Sequence, residues 1–329
     1  MRNVLRSAAL VAAIGLLGLL YLLVVPVGEG GPHAFNRDRN AVWLEHRWFE
    51  RDQTEAEMEA LLTSLDRHGV RYLFPHLIPF DTAGRLPLHN REQMRAFLAV
   101  ARRVDPEIKV LPWVGGVRVG YRRMRTGTVG LGDLGQRQRI VAECRGLVDE
   151  GFDGVHLDIE PVDDGNVDYL ALLRALRTAV GADRILSLSA IRPGPFVLPF
   201  APNFLWTPDY YARVASLADQ VVVMTYDTGL PTAALYSRYV SYATLSVASR
   251  LSGSKARVLV GIPTYEETGR MHRAGVETPE NALLGVVAGL RGLGDRRSFE
   301  GVALYAGWTT DEAKWGIYER LWRGSRRTP

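Results

Sequence analysis

A single cysteine, Cys144, stands in the 329 residues, so no intramolecular disulfide and no Cys/His zinc site can form. Its place in a helical pattern marks it for the core. Excess charge is also scarce. The formal net charge is +4 and the basic residues are scattered, which excludes the concentrated patch of a nucleic-acid binder. The densest cluster, Arg118, Arg122, Arg123 and Arg125, reads as a solvated loop before it reads as a face for an anionic polymer. Glycines are missing where a dinucleotide-binding sheet would need them, because Ala41 to His46 runs directly into Arg-Trp-Phe-Glu. No H-E-x-x-H or comparable spacing joins His46, His76 or His156 into a metal site, so neither metal nor cofactor is expected. Internal repeats and low-complexity segments are absent.

What is present begins with a membrane signal. Ala8 to Val27 carries no charge and approaches the ~20 residues that cross a bilayer, with Arg2 and Arg6 before it. The apolar stretch exceeds the roughly 7 to 15 residues of a signal peptide, and no clear small-x-small cleavage site follows. An uncleaved transmembrane anchor with the start of a linker is expected over residues 1–30, Gly28 to Pro32 reading as flexible, with the rest of the chain outside the cytoplasm. A cleaved, secreted form is the alternative.

From Ala41 onward, apolar strand-like runs alternate with helical patterns. Eight strands are expected: Ala41 to His46, Arg71 to Ile78, Ile108 to Val114, Gly154 to Glu160, Ile185 to Ala190, Gln220 to Tyr226, Val258 to Ile262 and Gly301 to Tyr305. Helices are expected at Thr54 to His68, Arg91 to Val104, Gln136 to Glu150, Val167 to Val180, Pro279 to Leu293 and Asp311 to Trp322. Eight strands alternating with helical patterns such as these over residues 38–324 predict one α/β domain, a (β/α)8 TIM barrel of the usual ~250 residues plus insertions. A doubly wound open sheet is the second choice.

The chemistry concentrates in Gly154 to Glu160. Val155, Leu157 and Ile159 alternate with His156, Asp158 and Glu160, so a strand places the three polar groups on one face. Glu160 falls at the C-terminal end, where barrel active sites form. Two carboxyl groups two residues apart lie within ~7 Å, and ionising one raises the proton affinity of the other. A general acid arises this way.

The segment Asp153-Gly-x-His156-x-Asp158-x-Glu160 resembles the DGxDxDxE signature of glycoside hydrolase family 18, which holds chitinases, endo-β-N-acetylglucosaminidases and some inactive lectins. Val222-Val-Met224-Thr-Tyr226-Asp227 resembles the family's M-x-Y-D motif. Phe80-Asp81, Gly115-Gly116 and Gly261-Ile-Pro263-x-Tyr265 extend the likeness over most of Ala41 to Trp322.

The resemblance implies retaining, substrate-assisted hydrolysis of glycans containing β-linked N-acetylglucosamine. Glu160 would be the acid and then the base, and Asp158 would orient the sugar's acetamide. Tyr226 would donate to the acetamide oxygen, and Asp227, Met224 and Asp153 would complete the substrate cradle. Two positions depart from the family. His156 replaces an inner aspartate, as a new partner for Asp158 with its own pH dependence or as a satisfied core histidine. Tyr305 stands where a tryptophan usually floors the sugar subsite, with Trp308 three residues on. Tyr305, Trp308 and Trp113 are the aromatic candidates for stacking on sugar, and Trp43 and Trp48 are weaker ones. The short link Pro263 to Thr278 leaves no room for the insertion domain of many chitinases, so a shallow groove is expected. A sugar-binding protein without catalysis and a structural envelope protein are the rival readings.

Overall fold

A computed structural model describes residue 27 and residues 35–77, 79–87, 90–120, 127–194 and 205–324. Except for Val27, the expected anchor and its linker lie outside the described residues. So do Arg122, Arg123 and Arg125. Among the described residues no helix is long and apolar enough to cross a membrane.

Nine parallel strands form one curled sheet: β1 Asn40–Leu44, β2 Val70–Pro75, β3 Lys109–Val110, β4 Trp113–Val117, β5 Gly154–Glu160, β6 Ile185–Ala190, β7 Gln220–Met224, β8 Arg257–Pro263 and β9 Phe299–Tyr305. Their order is β3-β2-β1-β9-β8-β7-β6-β5-β4. The two ends of that order are consecutive in sequence, separated by Leu111 and Pro112. Proline has no N–H to give to a ladder, so the third expected strand is broken there. It still joins both neighbours: Leu111 N donates to Leu73 O and Leu77 N to Trp113 O, while His156 N donates to Pro112 O, each at 2.9 Å. The sheet therefore closes as an α/β barrel, and β3 and β4 occupy a single barrel position.

Period-two alternation sorts the strand residues into two layers. Val42, Leu44, Val155, Leu157 and Ile159 pack outward under the helices. Ala41, Trp43, Phe74, Val222 and Leu259 fill the barrel interior. The helices Glu55–Arg67, Arg91–Val104, Leu134–Asp149, Val167–Val180, Pro208–Ala215, Ala233–Arg250, Pro279–Arg291 and Glu312–Tyr318 each begin behind a Thr, Asn or Asp whose side chain accepts a backbone N–H of the first turn. Each such cap contributes about 1 kcal/mol. Only residues 264–278 separate β8 from the helix Pro279–Arg291, so no insertion domain stands there.

Strand β4 lies against β5 in a register that sets Gly115 beside Asp158. A Cβ built on Gly115 would stand 1.7 Å from the Asp158 carbonyl oxygen, and the obstacle is backbone on both sides. Gly115→Ala is expected to push β5 outward, at a cost of about 3 kcal/mol or more, and to remove activity together with stability. Thermal melting and turnover measured on the same preparation check this. A variant with wild-type melting would show that the two strands are not held this closely.

Candidate active site

Glu160 ends β5 and Asp158 lies two residues earlier on the same inner face, so both carboxylates line one cavity of about 440 Å³ at the C-terminal mouth of the barrel. His76, Pro79 and Trp113 form its apolar side. The Trp113 indole packs against His76 at a tilt of 34°, with 4.0 Å between ring centroids, and its N–H donates to Asp158 Oδ2 at 2.8 Å. Trp113 therefore both walls the cavity and fixes a carboxylate.

Burial governs the titration here. It raises the Asp158 carboxyl to about 6, against a pull downward from the hydrogen bonds of Trp113 and Ser189. It also holds the Glu160 carboxyl well above the ordinary range, reinforced by the charge of Asp158 and, more weakly, of Asp227, and opposed by Arg192. Glu160 thus keeps a proton to a higher pH than a solvated carboxyl does, as a general acid requires.

Tyr226 follows β7 and lies nearly parallel to Tyr305 at the end of β9, with 5.2 Å between centroids and 13° between planes. Burial pushes the Tyr226 hydroxyl well above its usual range and the Tyr305 hydroxyl up to about 12, so both remain hydrogen-bond donors at neutral pH. Met224 closes β7 just before them and is buried. Asp227 has a left-handed backbone, φ 54°, and its Oδ1 accepts from the Tyr265 hydroxyl at 2.7 Å. Trp308 is 47% exposed and lines a second depression with Glu266, Asp311 and Lys314, its ring 5.9 Å from Tyr305.

Two expected assignments are corrected, and of the two readings of His156 the core histidine holds. Asp153 precedes β5 at the opposite end of the barrel, where it accepts the Val110 N–H at 3.0 Å and faces Lys109 at 4.0 Å. It ties β3 to β5 and is remote from the cavity. His156 is fully buried, stacked on Phe74 at 3.9 Å. Its Nε2 receives the Trp43 indole N–H at 3.2 Å, and its Nδ1 meets Ser187 Oγ at 2.8 Å. Burial lowers its pKa to about 3, so it is a neutral core histidine that neither reaches substrate nor adds a pH dependence near neutrality. Trp43 and Trp48 are buried packing residues, which leaves Trp113 as the tryptophan in the cavity. Of the arginine cluster, Arg118 is paired with Asp163 at 2.6 Å.

Sequence reasoning missed several neighbours. Arg192, just past β6, donates to the Tyr226 carbonyl at 3.1 Å. A charged residue at the C-terminal end of a barrel strand is the signal that could have found it. Among the described residues Asp227, His272 and Glu277 bring possible metal-ligand atoms within 4.8 Å of one another, although no motif spacing announces them.

A parallel α/β barrel with two buried carboxyl groups near the C-terminal end of one strand has the layout of a barrel enzyme. The profile of glycosyl hydrolases family 18 matches residues 51–318, so the chain belongs to that family and is a glycoside hydrolase. Among solved structures, it is similar to a class V chitinase from Pseudomonas fluorescens, with 16% identity and a TM-score of 0.53, covering 85% of this chain and 98% of that one. A spore cortex-lytic enzyme, SleL, from Bacillus cereus matches with 13% identity and a TM-score of 0.57, over 87% of this chain and 76% of that one. A chitinase from Chromobacterium violaceum matches with 14% identity and a TM-score of 0.53, over 85% and 97%. No curated protein matches this chain.

Proposed function

We propose that this hydrolase cleaves glycans containing β-linked N-acetylglucosamine with retention of configuration, Glu160 serving as its single proton shuttle. The observation that carries the reading is Glu160, buried and held above the ordinary carboxyl range, sharing one cavity with Asp158, whose orientation Trp113 fixes. In the first step the acetamide oxygen of the bound sugar attacks its own anomeric carbon. The glycosidic C–O bond breaks, and the Glu160 proton passes to the leaving oxygen. Asp158 accepts the acetamide N–H and stabilises the positive charge of the oxazolinium. Tyr226 donates its hydroxyl to the acetamide oxygen and aligns it for attack. In the second step Glu160 takes a proton from water, the water oxygen bonds to the anomeric carbon, and the acetamide is restored.

Chitin oligosaccharides and cell-wall glycans are the first substrates to assay, since relatives are described as chitinases and a spore cortex-lytic enzyme. The apolar segment from Ala8 to Val27 supports a tether that holds the barrel outside the cytoplasmic membrane. The mechanism is tested with a thiazoline analogue of the oxazolinium. Competitive inhibition with a Ki at least about 100-fold below KM is expected, because analogues of the high-energy species bind far tighter than substrate. Turnover that ignores the thiazoline would sink substrate assistance.

A further inference from the structure

We propose that Asp227, His272 and Glu277 form a divalent-cation site, of the kind suited to Zn²⁺, at the edge of the catalytic mouth. His272 and Glu277 are buried. Both ring nitrogens of His272 and Oε2 of Glu277 lack a hydrogen-bond partner, a costly state for buried polar atoms. His272 Nδ1 stands 3.3 Å from Glu277 Oε2 and 3.6 Å from Asp227 Oδ1. One ring nitrogen has one proton or one lone pair, and at 3.3 and 3.6 Å from the two carboxylates it offers them at most a long, shared contact. A cation can hold all three.

The spacing fits. With metal–ligand bonds of 2.0 to 2.2 Å, the edge of a tetrahedral site is about 3.4 Å, which is how far Nδ1 stands from each carboxylate. The outer contacts also resemble those of a metal site. Glu277 Oε1 is fixed by Thr228 N at 3.0 Å, Thr228 Oγ1 at 2.8 Å and Gly229 N at 3.2 Å, which leaves Oε2 bare and turned toward His272. The Tyr265 hydroxyl orients the Asp227 carboxylate, and the Tyr265 ring covers His272 with centroids 4.1 Å apart. Asp227 is half exposed, which provides an entry path. One imidazole and two carboxylates favour Zn²⁺, Co²⁺ or Mn²⁺ over Ca²⁺ and Mg²⁺, which take oxygen ligands. The bound ion would clamp the loop after β7 to the loop after β8, one residue beyond Tyr226.

The test uses the full chain stripped with a chelator and titrated with Zn²⁺ and, separately, Co²⁺. One equivalent is expected to bind at micromolar concentration or below, and Co²⁺ is expected to develop the strong visible absorption of a four-coordinate ion. His272→Ala and Glu277→Gln should each weaken binding at least about 100-fold. Nitrogen-15 NMR of the wild type should show the His272 ring nitrogen moving on addition of Zn²⁺, which decides the matter even if a variant fails to fold. Absence of stoichiometric binding, binding undiminished in both variants, or an unmoved His272 resonance each overturns the site.

Discussion

Glu160→Gln is expected to lower kcat by about 10²- to 10⁴-fold on any glycan the wild type cleaves, with KM little changed. The amide matches the protonated acid in size and lacks only the transferable proton. Because burial and Asp158 favour the protonated form of Glu160, the variant resembles the acid form of the wild type. Melting temperature should therefore be kept. The wild type should lose activity as pH rises through the Glu160 ionisation, since the acid form is the one that works. That upper limb lies at higher pH than an ordinary glutamate would give. Turnover, KM and melting are measured on both proteins across pH. A variant that retains turnover within threefold of wild type removes Glu160 from the acid role, and one that loses melting temperature in parallel shows a structural role instead.

Much of this site was legible because one strand carries it. The bounds of β5 coincide with the expected Gly154 to Glu160, and alternation alone sends His156, Asp158 and Glu160 inward. The helices Arg91–Val104 and Val167–Val180 also have their expected bounds, since a side-chain cap at Asn90 and Asn166 punctuates a clear apolar period. Asp153 was misplaced although the same alternation excludes it: it shares the parity of Val155 and Leu157 and begins the strand that Glu160 ends. The helices Pro208–Ala215 and Ala233–Arg250 were not anticipated. The second is rich in Tyr, Ser, Thr and Val, which dull the helical signal. The partners of His156 come from β1, β2 and β6, and the groups around Asp227 come from two loops. Such convergence depends on how strands are ordered around the barrel, and no local spacing records it.

Asp158→Asn is expected to trade activity for stability. Losing the charge that faces the acetamide should cost about 10²- to 10³-fold in kcat, the range found when one preorganised stabilising contact is removed. Stability moves the other way. Burial raises the folded Asp158 carboxyl from 3.8 to about 6, so the folded state binds its proton more tightly than the unfolded chain does. Well below the unfolded value of 3.8 both states are protonated and the group costs nothing. Between about pH 4 and 6 the unfolded chain ionises first, and wild-type stability falls across that window. Above it the loss is complete, at up to about 3 kcal/mol, less whatever solvent screens. Asparagine carries no charge at any pH, and its side-chain oxygen can still accept the Trp113 N–H. The melting advantage of Asp158→Asn should therefore be near zero about one pH unit below the unfolded value of 3.8, grow through pH 6 and then level off. An advantage that is constant with pH, or a variant less stable than wild type at pH 7, would mean that the Asp158 carboxylate is not desolvated by its place beneath Trp113. The cavity would then hold its charge at no cost to the fold, and Asp158 would lose the energetic signature of a residue kept for its chemistry.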